Sequence, residues 1–212
     1  MADLVRLGNA VIDGDARMAR QLTEAALAEG HDAQNLITDI LIPAMDEVGR
    51  RFANNDYFVP ELLISARAMR TALELLRPRL SNRTNGIAGI ALVGTVKGDL
   101  HDIGKGLVTA MLEGGGFTVV DLGIDVPADA FVQAVRTHRP RVLCLSALLT
   151  TTMPAMRDVI AALVAAGLRD HVKIMVGGAP VSQRFADDIG ADGYASDAPG
   201  AANMARRWAA GV

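Results

Sequence analysis

The chain has 212 residues, half of them hydrophobic, and a formal net charge of −3. That is enough apolar material for one sizeable core or two small ones, while the nearly balanced charge offers no basic face to nucleic acid and no attraction to anionic lipid. Aromatic residues are few, the N-terminus lacks the basic-then-apolar pattern of a signal peptide, and no apolar run reaches the roughly 20 residues that span a bilayer; the single cysteine, Cys144, excludes an internal disulfide, so a cytoplasmic protein without a membrane segment is expected.

The first part of the chain has helical periodicity. Helices are predicted from Asp3 to Ile12 and from Asp15 to Glu29, separated by Gly14 and stopped by Gly30. Leu36, Ile37, Ile40, Leu41, Ala44, Met45 and Val48 recur at spacings of one, three and four, which marks one apolar helix face; Pro43 falls inside it and should kink it. Pro60 can open a fourth helix at its first position, lined by Leu62, Leu63, Ala66, Met69, Leu73 and Leu76 and ended by Pro78. Four such helices suggest a small bundle over residues 1–78. Residues 79–86 are polar and aperiodic and read as a linker, with a hinge expected there.

Beyond residue 87 short apolar runs alternate with helical stretches. Strands are predicted at Ile87–Val93, Phe117–Leu122, Arg141–Leu145, Val172–Val176 and Gly193–Tyr194. Helices are predicted at Ile103–Glu113, Ala128–Thr137, Pro154–Ala166, Ser182–Ile189 and Ala198–Ala209. This alternation implies an α/β fold: a parallel five-stranded, flavodoxin- or Rossmann-like sheet covered on both faces, occupying residues 87–212. Ligands of such sheets bind beyond the carboxyl ends of the strands, so the loops after each strand are where chemistry is expected.

The first of these loops runs from Gly94 to Gly106 and is rich in glycine. It is not a phosphate loop, because the second glycine would fall on Ile103 and no hydroxyl follows Gly104-Lys105. A dinucleotide fingerprint from Gly104 would need a small residue where Thr109 stands. His101 is the more informative residue: a neutral imidazole binds metals, and its second nitrogen usually donates to a carboxylate, here Asp99. Taken alone, Asp-x-His is also the pattern of a solvated loop histidine. His31, His138 and His171 are scattered and Cys144 lies within a strand, so no zinc set is completed. A metal held by one histidine would take its other ligands from a macrocycle.

Asp99-Leu100-His101-Asp102-Ile103-Gly104 resembles the Asp-x-His-x-x-Gly signature of proteins that bind cobalamin base-off and His-on. Ser146-Ala147-Leu148 follows after 41 residues, and Gly177-Gly178 after a further 28, as in that family. Gly94 to Pro127 is similar to the B12 module of cobalamin-dependent methionine synthase, and the whole chain is similar to the corrinoid proteins of methanol, methylamine and methoxy-compound methyltransferase systems. The resemblance implies cobalamin, as methylcobalamin and cob(I)alamin, with His101 as lower cobalt ligand and Asp99 bonded to it. It implies contacts from Asp102, Ile103, Gly104, Ser146, Leu148 and Thr150 to the cofactor and its displaced base, and close backbone approach to the nucleotide tail at Gly104, Gly177 and Gly178.

The helical half bears on the reaction. Met45 to Phe52 and Tyr57 to Leu62 are similar to the helical cap of methyl-carrying corrinoid proteins. Phe52 and Val59 stand where that family places two apolar residues on the upper corrin face, the second commonly leucine; by the pattern alone they are equally bundle core. The implied function is a methyl carrier rather than a complete enzyme. It would work between a substrate-specific methyltransferase and a second methyltransferase acting on tetrahydrofolate or a thiol, with a reductive activase as a further partner. The methyl donor would be set by the partner. A regulatory or light-sensing B12 module is the alternative, although such sensors usually add a DNA-binding segment.

Overall fold

The computed structural model describes residues 3–80 and 88–211. The chain divides into two compact units, Met1–Ile87 with Glu113–Phe117, and Ala88–Leu112 with Thr118–Val212. Most of the expected linker, residues 81–86, lies outside the described residues; Arg79 belongs to a 3-10 turn, Arg77–Arg79, that follows the last helix of the first unit.

In the first unit, helices α1 (Leu4–Ile12) and α2 (Ala16–Ala28) each start at an aspartate whose carboxylate accepts an orphan amide of the first turn: Asp3 from Arg6 N at 3.0 Å and Asp15 from Met18 N at 2.9 Å. Asp32 does the same for the short helix α3 (Ala33–Asn35). A π-helical stretch, Leu36–Leu41, then leads into α4 (Ile42–Ala53). The kink expected at Pro43 takes this form because proline has no N–H for Asp39 O and its ring crowds that carbonyl, so the turn before it widens. Helix α5 (Val59–Leu76) begins one residue before Pro60, and Glu61 accepts the Phe58 amide at 2.9 Å. Leu7, Val11, Ile37, Leu41, Met45, Leu62, Met69 and Leu76 fill this unit's core.

The α4–α5 turn is braced by a polar network. Glu47 accepts from Arg50 and Arg51, at 2.7 and 2.8 Å, and these hydrogen bonds hold its carboxyl down to about 2. Arg51 lies over the Tyr57 ring and donates to its hydroxyl at 2.9 Å, and that hydroxyl donates to Ile12 O at 3.3 Å. Phe52, in the last turn of α4, and Val59, the first residue of α5, are both half-buried beside this network, outside the unit's core.

The second unit alternates β1 (Gly89–Thr95), α6 (Ile103–Gly114), β2 (Phe117–Asp121), α7 (Ala128–His138), β3 (Val142–Ser146), α8 (Pro154–Ala165), β4 (Lys173–Gly177), α9 (Gln183–Ile189), β5 (Gly193–Ala195) and α10 (Ala198–Ala210). The order across the sheet is β2-β1-β3-β4-β5 and the strands are parallel, as the alternation predicts. Ile87, where the first strand is expected to begin, lies outside the described residues; β1 starts at Gly89 and runs two residues past Val93, because Gly94 and Thr95 continue the ladder opposite Leu145 and Ser146. Gly94 is required inside that strand, since a Cβ there would meet the buried Phe131 ring at 2.6 Å. The central strands are buried on both faces, which is why they read as continuous apolar runs.

This order fixes where a ligand can go. The chain leaves β1 toward β2 on one side and returns to β3 on the other, so the loops after β1 and β3 diverge and open a crevice at their carboxyl ends. The register places Thr95, Ser146 and Gly177 side by side at that edge.

Candidate functional site at the β1/β3 switch point

The loop from Val96 to Asp102 carries His101 out over this edge. Asp99 is fully buried and anchors it. One carboxylate oxygen, Oδ1, accepts the His101 amide at 3.0 Å and His101 Nδ1–H at 2.7 Å. The other, Oδ2, accepts the Thr152 hydroxyl at 2.6 Å and the Leu148 amide at 2.7 Å. Burial disfavours a charged carboxylate, but these four donors outweigh it and hold Asp99 well below the usual carboxylate range. An ionised Asp99 can only accept, so the imidazole proton sits on Nδ1 and the lone pair on Nε2. The His101 side chain is about half exposed, 49%, while its partner is at 0%. Thr95 Oγ1 donates to the His101 carbonyl at 2.9 Å and fixes the main chain beneath the ring.

Loop β3–α8 therefore contributes to the ligand loop through Leu148 and Thr152. The Thr152 hydroxyl lies within reach of both Asp99 and Leu149 O, but has one proton; the shorter contact, to a charged acceptor, takes it. Sequence reasoning names Thr150 as a polar contact near the cofactor's tail and does not find Thr152. In the structure Thr150 and Thr151 are exposed, and Thr152 is the buried member bonded to Asp99. A run of three identical residues in an irregular loop has no period to show which one faces inward. Lys105 was equally invisible: its side chain is 2% exposed, lying between Asp102 at 2.7 Å and Asp121, and it ties the first turn of α6 to the end of β2. Burial lowers the pKa of Lys105, but the two carboxylates more than compensate and the net direction is upward.

The other expected residues of this unit lie at the start of α6 and at the carboxyl ends of β3 and β4. Asp102 directly precedes α6 and Ile103 begins it, both exposed; Gly104 has open space where a side chain would be, and Ser146 ends β3 half-buried. Gly178 has φ +130°, and a Cβ there would lie 1.8 Å from Ala147 O, so the close approach that demands glycine is to the neighbouring loop's backbone. At Gly177 the nearest atom to such a Cβ is Ala195 O, at 3.1 Å. Phe52 and Val59 belong to the other unit.

Two features test whether these residues suit a corrinoid. The donor set is one imidazole, oriented by a carboxylate, and among the described residues no three His, Cys, Asp or Glu side chains converge on a metal position. The apolar surface is the second. Leu100, Ile103, Ile124, Leu148 and Leu149, from the loops after β1, β2 and β3, are 41–80% exposed. Large apolar side chains held in water on several neighbouring loops mark a ligand surface. An imidazole with a free lone pair, set among them on an open edge, suits a broad flat macrocycle that brings its own equatorial ligands.

Comparison with known proteins agrees with this chemistry. Residues 89–202 and residues 4–77 each match a family model described as a B12 binding domain. The trimethylamine corrinoid protein 1 of Methanosarcina acetivorans is 42% identical over 197 residues, covering 92% of this chain and 91% of that protein. Among solved structures, a cobalamin-binding protein from Desulfitobacterium hafniense aligns with a TM-score of 0.82 at 33% identity, over 98% of this chain and 99% of the other. The methanol:cobalamin methyltransferase complex of Methanosarcina barkeri contains a chain that aligns with a TM-score of 0.84 at 33% identity, over 97% of this chain and 79% of the other. Fold and site thus define a cobalamin-binding protein. This chain belongs to the family of B12-binding corrinoid proteins.

Proposed function

We propose that this protein is a methyl carrier that binds cobalamin base-off, with His101 as the lower cobalt ligand, and that it shuttles a methyl group between two methyltransferases. One observation carries the reading: the Asp99–His101 pair at the β1/β3 switch point, in which a buried, ionised carboxylate holds Nδ1–H and leaves Nε2 as a donor. The relatives' names support the methyl-transfer role, and the likeness to a chain of a methyltransferase complex supports a substrate-specific methyltransferase as the first partner. Tetrahydrofolate or a thiol on a second methyltransferase is the proposed acceptor, and a reductive activase a further partner.

When bound, cobalt would supply a centre that accepts a methyl group and then gives it up. The chain's own residues do the rest. Asp99 fixes the imidazole tautomer, orients the ring and raises its basicity as a ligand. Thr152 and the Leu148 amide keep Asp99 charged and stationary. The exposed apolar side chains of Leu100, Ile103, Ile124, Leu148 and Leu149 would exclude water around a bound corrinoid. Ser146, Thr150, Gly177 and Gly178 line the path proposed for the displaced nucleotide tail, and Phe52 and Val59 are the proposed apolar contacts to the upper face.

The test is electron paramagnetic resonance of the Co(II) form after reconstitution with hydroxocobalamin. In protein carrying 15N-histidine, the axial nitrogen splitting should change from triplet to doublet, and His101→Ala should lose it. A splitting that ignores the label, or one that survives His101→Ala, overturns the proposal.

A further inference from the structure

Loops that carry a metal ligand need restraint, because irregular backbone samples many conformers and only some of them place the ligand correctly. The His101 loop is restrained on its β3 side by Leu148 and Thr152, through Asp99. On its other side stands the loop between β2 and α7, residues 122–127, of which the cobalamin reading uses only the Ile124 side chain. That loop is stitched to β1 by its backbone: Thr95 N donates to Gly123 O and Val126 N donates to Thr95 O, both at 3.0 Å. Its side chains then reach further, toward the ligand loop itself.

Asp125 is the residue that does so. Its amide donates to Asp99 O at 3.0 Å. Its carboxylate accepts the Gly98 amide at 2.8 Å and Lys97 Nζ at 3.0 Å. Three successive residues of the ligand loop, Lys97 to Asp99, thus end on one aspartate. The hydrogen bond from Gly98 and the pair with Lys97 hold the Asp125 carboxyl below its ordinary range. Asp125 also has φ +53°, a left-handed conformation that side chains rarely adopt and that persists where the surroundings over-determine it. The pair with Lys97 is exposed and contributes little by itself; the contacts to the Gly98 and Asp99 backbone are the ones that hold position.

We infer that Asp125 is a positioning residue for the metal ligand, clamping Lys97–Asp99 from the β2 side as Thr152 and Leu148 clamp Asp99 from the β3 side. It acts through Asp99 and the Lys97–Gly98 backbone rather than on His101 directly. This inference rests on the cobalamin reading above. Removing the carboxylate leaves the β3-side contacts and the sheet intact, so the loop remains attached but spreads over more conformers. Apparent affinity then falls by the fraction of conformers that still present His101 correctly.

Two variants separate position from fold. Asp125→Gly removes the carboxylate while adopting positive φ without steric cost. Asp125→Asn keeps an oxygen for the Gly98 amide and tolerates the left-handed region, losing only the charge. The measurements are the Kd of the apo chain for hydroxocobalamin, the 15N-histidine splitting of the Co(II) form, and the urea midpoint. For Asp125→Gly we expect a Kd weaker by roughly three- to tenfold, the effect of one partly exposed charge-assisted hydrogen bond, with a mixed histidine-on and histidine-off spectrum and a midpoint near that of wild type. Asp125→Asn should restore both Kd and spectrum to within about twofold. An Asp125→Gly protein with wild-type Kd and a pure doublet overturns the positioning role alone, as does one whose losses are matched by Asp125→Asn. A wild-type protein lacking the histidine doublet overturns the cobalamin reading, and this inference falls with it.

Discussion

Replacing Thr152 by valine removes one hydroxyl from the least exposed part of the site while conserving shape. Thr152 is 8% exposed and Asp99 is fully buried, so water cannot substitute for the lost donor. The bond is short, 2.6 Å, and its acceptor is charged. Hydrogen bonds of this kind contribute about 2 kcal/mol, and the valine additionally leaves a carboxylate oxygen with a single close donor, Leu148 N. The expected loss is about 2 kcal/mol for the apo chain at neutral pH, or about 1 M in urea midpoint. Trp208, the only tryptophan, lies on α10 of the same unit and reports its unfolding by fluorescence. The pH dependence gives the sharper test. Asp99 has a folded pKa depressed below its unfolded value of about 3.9, so its stabilisation is present above that value and is lost as pH falls toward the folded one. The unfolded value is common to both proteins, so the gap between wild type and Thr152→Val should be constant from about pH 7 down through about pH 4, and should narrow only as pH falls through the variant's own, less depressed, folded value. Thr152→Ser should behave as wild type. A gap under about 0.5 kcal/mol at neutral pH, or one that already closes between about pH 7 and about pH 5, refutes the assignment of the threonine proton to Asp99.

Two other expectations test the sheet edge and core. Gly178→Ala would place a Cβ 1.8 Å from Ala147 O at φ +130°, and neither backbone can rotate aside, so a loss exceeding about 3 kcal/mol is expected; a urea midpoint within about 0.5 M of wild type would rule out that close approach. Cys144 is buried and its thiol is pushed up to about 12 by desolvation, so it should react with a disulfide reagent only after unfolding. Equal thiol release in buffer and in urea would contradict the burial of β3.

Much of the sheet was legible because parallel strands buried on both faces announce themselves as short apolar runs, and the helices between them carry a 3.6-residue period. The misplaced boundaries have local causes. Thr95 is polar and Gly94 a helix and strand breaker, so both read as loop; pairing with Leu145 and Ser146 keeps them in β1, and Phe131 occupies the space a larger residue than Gly94 would need. The π-helical stretch before Pro43 was foreseeable as a disturbance but not in kind, since proline states that a hydrogen bond is missing and not how the turn closes.

The site divides along a different line. Asp99 and His101 lie two residues apart, and a contact that short in sequence can be inferred from one loop. Thr152 and Asp125 meet that loop from the loops after β3 and β2, at separations of 53 and 27 residues that only the strand order brings together. Because β1 lies between β2 and β3, the loop after β1 has a neighbour on each flank, and each neighbour contributes a side chain that reaches in: Thr152 from one side and Asp125 from the other. Had β3 followed β2 on the same side, the ligand loop would have had one free flank, and His101 would be held by Asp99 with nothing behind it. The topology that opens a crevice for the ligand is thus also what allows the ligand's own loop to be gripped from both sides.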